Sequence, residues 1–70
     1  MMPLTFAETG EEVEIIKITG KDEVRLHLAE LGMVVGTRIT IISKIGSNMI
    51  VNVKGSRIAL DERLGKRIMF

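Results

Sequence analysis

The chain has 70 residues, nine carboxylates and one imidazole among them, and no cysteine. His27 with Glu8, Glu11, Glu12, Glu14, Asp22, Glu23, Asp61 and Glu62 forms the donor set available to a divalent transition metal, which accepts imidazole and carboxylate together. Glu12 and Glu14 lie two apart, on one face of a strand, and are the best pair. Acidic runs on small proteins are ordinarily solvated faces, so no metal ligand is assigned. No cofactor is required, and weak binding of a divalent transition metal stays open. His27 falls near the edge of a helical apolar stripe and is expected to be a hydrogen-bonded structural histidine.

Catalysis is not expected. A nucleophile needs an adjacent base, and no Ser-His-Asp, Cys-His or metal-hydrolase spacing occurs. Gly32 and Gly36 do not make a phosphate loop. No Gly-Lys-Ser/Thr follows them, and they come after a helix where a phosphate loop would precede one.

Arg57, Arg63, Lys66 and Arg67 could gather near the C-terminus as a surface for nucleic acid. Yet 10 basic residues against 9 acidic ones leave a net charge of +1. With no Trp or Tyr, and with Phe6 and Phe70 near the termini, stacking platforms for bases are missing. Nucleic-acid binding is not expected.

The remaining chemistry is apolar contact. Leu26, Met33, Val34 and Val35 cluster at the end of a helix and cannot all face one interior. If several are exposed together they make a patch of the kind that marks partner surfaces, flanked by Arg25 and Glu30. Alternatively, Met33 and Val35 cap the mouth of a barrel and only Leu26 is exposed. Both readings stand at this point.

The elements that must position these residues follow from periodicity. Ten Ile, six Val and six Leu favour strands and supply the interior that a single small domain without disulfides needs. A lead-in brings Leu4 and Phe6 onto the body, and Glu8–Glu11 turns. Residues 12–19 form a first strand in which Ile16 and Ile18 break the parity of Val13 and Ile15, which predicts a β-bulge or burial on both faces. Asp22 is the expected N-cap of a helix over about 23–31, whose stripe is Val24, Leu28 and Leu31. Gly32 stops it as the C′ residue.

Gly36 then opens a strand over residues 37–45, with Ile42 breaking parity. Gly46–Asn48 turns into a strand over 49–54. Gly55-Ser56 is expected as a hairpin loop with Gly first. A short strand over 57–60 follows, then a helical turn over about 61–65 capped by Asp61 and closed by Gly65. A last strand covers 66–70, with Ile68 and Phe70 inward. Five short strands in so short a chain bury one face best by curling into a small, partly open barrel. The fold class is therefore mainly β with one inserted helix, in a single domain over residues 1–70. No apolar run approaches the roughly 20 residues of a membrane span, and the N-terminus carries no secretory signature. A cytoplasmic protein without direct membrane insertion is expected.

The assembled residues resemble the FeoA family. Leu4 … Gly10 followed by Val13-Glu14-Ile15 is similar to its opening. Leu28-Ala-Glu-Leu-Gly-Met-Val-Val-Gly-Thr-Arg-Ile39 resembles its signature, Leu-x-x-Leu-Gly-apolar-x-x-Gly-x-x-Ile. Residues 50–60 resemble its two central strands, and Leu64-Gly-Lys-Arg-Ile68 its closing strand. Val35 stands where the signature often has Pro, and His27 where a basic residue often precedes the first Leu. The resemblance implies an SH3-like barrel and an accessory role in ferrous iron uptake beside FeoB, a membrane transporter with a cytoplasmic GTP-binding domain. The apolar patch would then dock on that transporter. Two alternatives remain. One is a stand-alone relative of the SH3-like domain that ends iron-dependent repressors. The other is a homo-oligomeric module responsive to ferrous iron or another transition metal.

Overall fold

The computed structural model describes all 70 residues. The strands are β1 (Glu12–Glu14), β2 (Lys17–Ile18), β3 (Arg38–Ile45), β4 (Asn48–Val53), β5 (Ser56–Leu60) and β6 (Ile68–Met69). Helix α1 spans Asp22–Glu30 and helix α2 Glu62–Gly65, with a 3₁₀ turn at Leu4–Phe6. Strands β1, β3, β4 and β5 make one antiparallel sheet in the order β1-β3-β4-β5, and β2 pairs with β6 in a second. The result is the expected small SH3-like barrel, partly open, with the sheets not closed on each other.

The first expected strand is divided in two. Val13 and Ile15 are buried, Ile16 and Lys17 both face out, and Ile18 is buried again. Ile15 exchanges backbone bonds with the turn before β3, donating to Thr37 at 2.9 Å and accepting from Gly36 at 2.7 Å. Ile16 donates to Met69 at 2.8 Å. The parity break is thus the point where the chain leaves one sheet for the other. Ile16 is not buried on a second face; it is 52% exposed. In β3 the parity break is a bulge: the register to β4 shifts between Ile41 and Ser43, leaving Ile42 as the extra residue.

The β4–β5 hairpin turns one residue earlier than expected. Val53 pairs with Ser56, so the loop is Lys54-Gly55, with φ of 51° and 86°. Positive φ at both central residues is the type I′ pattern, whose twist matches that of the strands it joins. The α1 N-cap is Lys21, which makes no side-chain cap bond. Asp22 is instead the first helical residue and pairs with Arg25 at 2.6 Å. Asp61 does cap α2, accepting from the Leu64 N–H at 2.9 Å. Gly65 does not close that turn as a C′ residue. It is buried within α2, where a Cβ would lie 3.4 Å from the Thr5 methyl carbon and 3.6 Å from the Met49 sulfur.

The core gathers Leu4, Ile15, Leu28, Met33, Ile39, Ile41, Met49, Val51, Leu60 and Ile68, all at most 2% exposed. Ala7, not Phe6, is the second anchor of the lead-in, because Phe6 is 63% exposed. Lys44 fastens that segment by donating to the carbonyls of Thr5 and Ala7 at 3.0 and 3.1 Å. Leu28 is the one fully buried residue of α1, with Val24 and Leu31 packed partly against the core. Burying a leucine contributes about 1.5–3 kcal/mol.

Candidate functional site

Helix α1 ends in a Schellman motif. The Gly32 N–H donates to Ala29 at 2.9 Å and the Met33 N–H to Leu28 at 2.8 Å. This places Gly32 at φ +88°, a conformation that costs an L side chain heavily. Met33 is thereby turned into the core beside Leu28, and both are fully buried.

The next four residues form a turn. The Thr37 N–H donates to the Val34 carbonyl at 3.0 Å, with Gly36 at φ +93°. A four-residue turn with positive φ at its third residue is of type II, which favours Gly there. The Thr37 hydroxyl accepts from the Val34 N–H at 3.3 Å, so the turn is tied twice. Its backbone is satisfied internally, and Val34 and Val35 stand outward, 47% and 61% exposed.

These two valines meet residues from other elements. Leu26, 64% exposed on the outer side of α1, and Ile16 at the strand crossover face them across an open groove of about 350 Å³. Ala29 and the buried Met33 and Ile18 also contribute to its walls, and Lys17 and Arg25 are the only charged residues lining it. Arg25 is held by Asp22 at 2.6 Å and donates to the Ile18 carbonyl at 3.3 Å, which fixes its place at the rim. Lys17 makes no ion pair.

The sequence-level patch is therefore gathered in part. Leu26, Val34, Val35 and Arg25 come together; Met33 goes inward, and Glu30 is exposed but does not line the groove. Ile16 is the member that sequence reasoning missed. Its parity break was the available signal, because a β-branched residue out of phase with a buried strand has to face somewhere else. Gly32 and Gly36 set the geometry at the end of α1, while Gly55 serves the distant β4–β5 hairpin.

The other candidates stay apart. Glu12 and Glu14 are bridged by Arg38 at 3.3 and 3.9 Å, so a guanidinium holds the best carboxylate pair. Nowhere do three or more His, Asp or Glu side chains converge as a metal site would need. His27 is exposed and its imidazole makes no hydrogen bond, contrary to the structural role expected for it. The phase of α1 explains this, since Leu28 takes the buried position beside it. His27 shares a surface depression with Arg63 and Arg67, whereas Arg57 lies on β5 and Lys66 beside Phe6 and Lys44. No helix is long and apolar enough to cross a membrane.

A family model described as the FeoA domain matches residues 2–70. A protein of Methanocaldococcus jannaschii named "Putative Fe(2+) transport protein A" is 35% identical over 69 residues, covering 99% of this chain and 84% of its own length. Among solved structures, an iron uptake regulatory protein (FeoA) superposes with a TM-score of 0.88 at 28% identity, over 97% of this chain and 90% of that one. A manganese-dependent transcriptional repressor in complex with manganese reaches a TM-score of 0.88 at 14% identity, over 96% of this chain but 34% of its own. That last similarity is one of fold alone. By the match of its whole length and by its fold, the chain belongs to the FeoA family, which is associated with ferrous iron transport.

Proposed function

We propose that this protein is a small cytoplasmic accessory of ferrous iron uptake, and that it acts by docking the groove between α1 and the Val34–Thr37 turn onto the cytoplasmic part of a FeoB-type transporter. The observation that supports this reading is the exposure of Ile16, Leu26, Val34 and Val35 around one groove. Four branched apolar side chains in water on so small a protein are a standing cost unless another surface covers them. The charged rim is basic, from Lys17 and Arg25, so the complementary surface presents an aliphatic side chain with a carboxylate beside it. Glu30, outside the groove, is a peripheral contact. The docking needs no cofactor, and ferrous iron is the cargo of the transporter.

Chemical-shift mapping tests it. Titrating isotope-labelled protein with the transporter's cytoplasmic domain is expected to move the amides of Ile16, Leu26 and Val34–Gly36 first. Shifts confined to the outer face of the β3–β4–β5 sheet would reject the site.

The similarity of fold to a manganese-dependent repressor favours a second reading, a stand-alone relative of such a repressor's terminal domain. A reading frame for a DNA-binding helix-turn-helix domain next to this gene would support it, and an adjacent transporter frame supports the first.

A further inference from the structure

Strand β5 is an edge strand. It pairs only with β4, in the register Met49–Leu60, Val51–Ile58 and Val53–Ser56. In an antiparallel hairpin closed by a two-residue loop, the closing pair is hydrogen-bonded and bonding alternates from there. Ser56, Ile58 and Leu60 therefore bond to β4. The N–H and C=O of Arg57 and Ala59 point away from it, and no turn, loop or side-chain bond reaches them. Both residues are exposed. Ile58 packs against the core yet stays only half-buried, because nothing lies beyond it.

We infer that β5 pairs with β5 of a second copy of this chain across a two-fold axis at Ile58. The sequence of the edge is complementary to itself in that register. Arg57 stands opposite Ala59 of the second copy, and Ala59 opposite its Arg57, so all four free backbone groups of each strand are used in four hydrogen bonds. Ile58 meets its own equivalent on the core side and loses its remaining water. A shift by one residue would aim the groups already bonded to β4 at the new strand, so it is excluded. A shift by two in one direction would set Asp61 against Arg57, but the Asp61 carbonyl already accepts from Gly65 at 2.9 Å.

Charge supports the second copy as occupant. Arg57 is the one charged residue within β5; Lys54 lies in the loop before the strand, and the acidic Asp61 and Glu62 follow its end. Antiparallel self-pairing lays each basic end along an acidic one. Arg57 gains Asp61 of the second copy as a diagonal neighbour on the same face, a carboxylate that also accepts from the Leu64 N–H at 2.9 Å and pairs with Arg63 at 3.7 Å. Arg57 and its equivalent are the opposing diagonal pair, and both are in water, where like charges are screened. The small pocket of Ile45, Ile50 and Ala59 next to this edge accepts the methylene stem of the incoming Arg57. A two-fold contact closes on itself and does not propagate into a fibre. It shares no residue with the groove lining, so it stands whether or not the transporter is the groove's partner.

Two measurements on the full chain test this. In sedimentation equilibrium, the mass is expected to rise from 7.8 kDa toward twice that value between micromolar and millimolar concentration. Ala59→Pro removes an outward N–H on an edge strand, where proline is tolerated; this variant is expected to keep the native dichroism and remain monomeric. In amide exchange, Arg57 and Ala59 are expected to slow at least tenfold between dilute and concentrated wild-type protein. A wild-type mass that stays at the monomer value throughout overturns the proposal. So does a dimer that forms equally well in Ala59→Pro, or one in which Arg57 and Ala59 exchange as fast as when dilute. Protection of these amides only on adding a foreign extended peptide assigns the edge to a different occupant and also overturns it.

Discussion

The Met33 N–H reaches back across Gly32 to the Leu28 carbonyl at 2.8 Å, and the side chains of both residues are fully buried. This contact decides which face the following residues show. With Met33 drawn into the core, the tight turn after it holds Val34 and Val35 in solvent. The groove at the end of α1 is a consequence of how that helix is stopped.

Gly32→Ala is expected to destabilise the fold by about 1–2 kcal/mol, the cost of a left-handed L residue. There is room for the methyl group, whose nearest neighbour would be the Val53 Cγ1 at 3.7 Å, so the loss is conformational and not steric. For a domain of this size it lowers Tm by roughly 4–8 °C per kcal/mol. An unchanged melting curve would show that the left-handed cap contributes nothing.

Lys54 is the sole non-glycine residue with positive φ, at 51°. Lys54→Asn creates the Asn-Gly pair that type I′ turns prefer and is expected to stabilise by about 0.5–1 kcal/mol. Urea denaturation checks it, through a raised midpoint at constant slope.

Helix α1 lacks a side-chain cap, since Lys21 occupies that position. Lys21→Ser should supply an oxygen for the free N–H groups of the first turn and add about 0.5–2 kcal/mol. Thermal melts report the gain. A loss of stability would mean that Lys21 has a role its exposure does not suggest.

Much of the fold was legible in the residues themselves. The Leu28/Leu31/Gly32 pattern located the helix and its end, and Ile42 is out of phase at the place where the β3 bulge lies. Burial parity is a local property, so it survives without coordinates. The exit of the chain at Ile16 was less legible, because which sheet a residue joins depends on Met69, far away in sequence. The same limit hid Ile16 from the patch. The sign of Met33 was hidden by the cap geometry, which composition does not encode. The Lys54-Gly55 loop escaped because a lysine seldom takes positive φ.

Groove and core substitutions are expected to separate cleanly. Leu26→Asp and Val35→Asp change exposed positions and should shift stability by no more than about 0.5 kcal/mol. Met33→Ala empties a fully buried site and should cost about 2–5 kcal/mol. Parallel denaturation curves for the three variants make the comparison.

The affinity of the isolated transporter cytoplasmic domain for wild-type and Leu26→Asp protein, measured by titration calorimetry, bears most directly on the proposed docking at the groove. A carboxylate placed among Ile16, Val34 and Val35 is expected to weaken binding at least tenfold while the variant melts within about 4 °C of the wild type. Equal affinity for both proteins would contradict the groove as the docking surface.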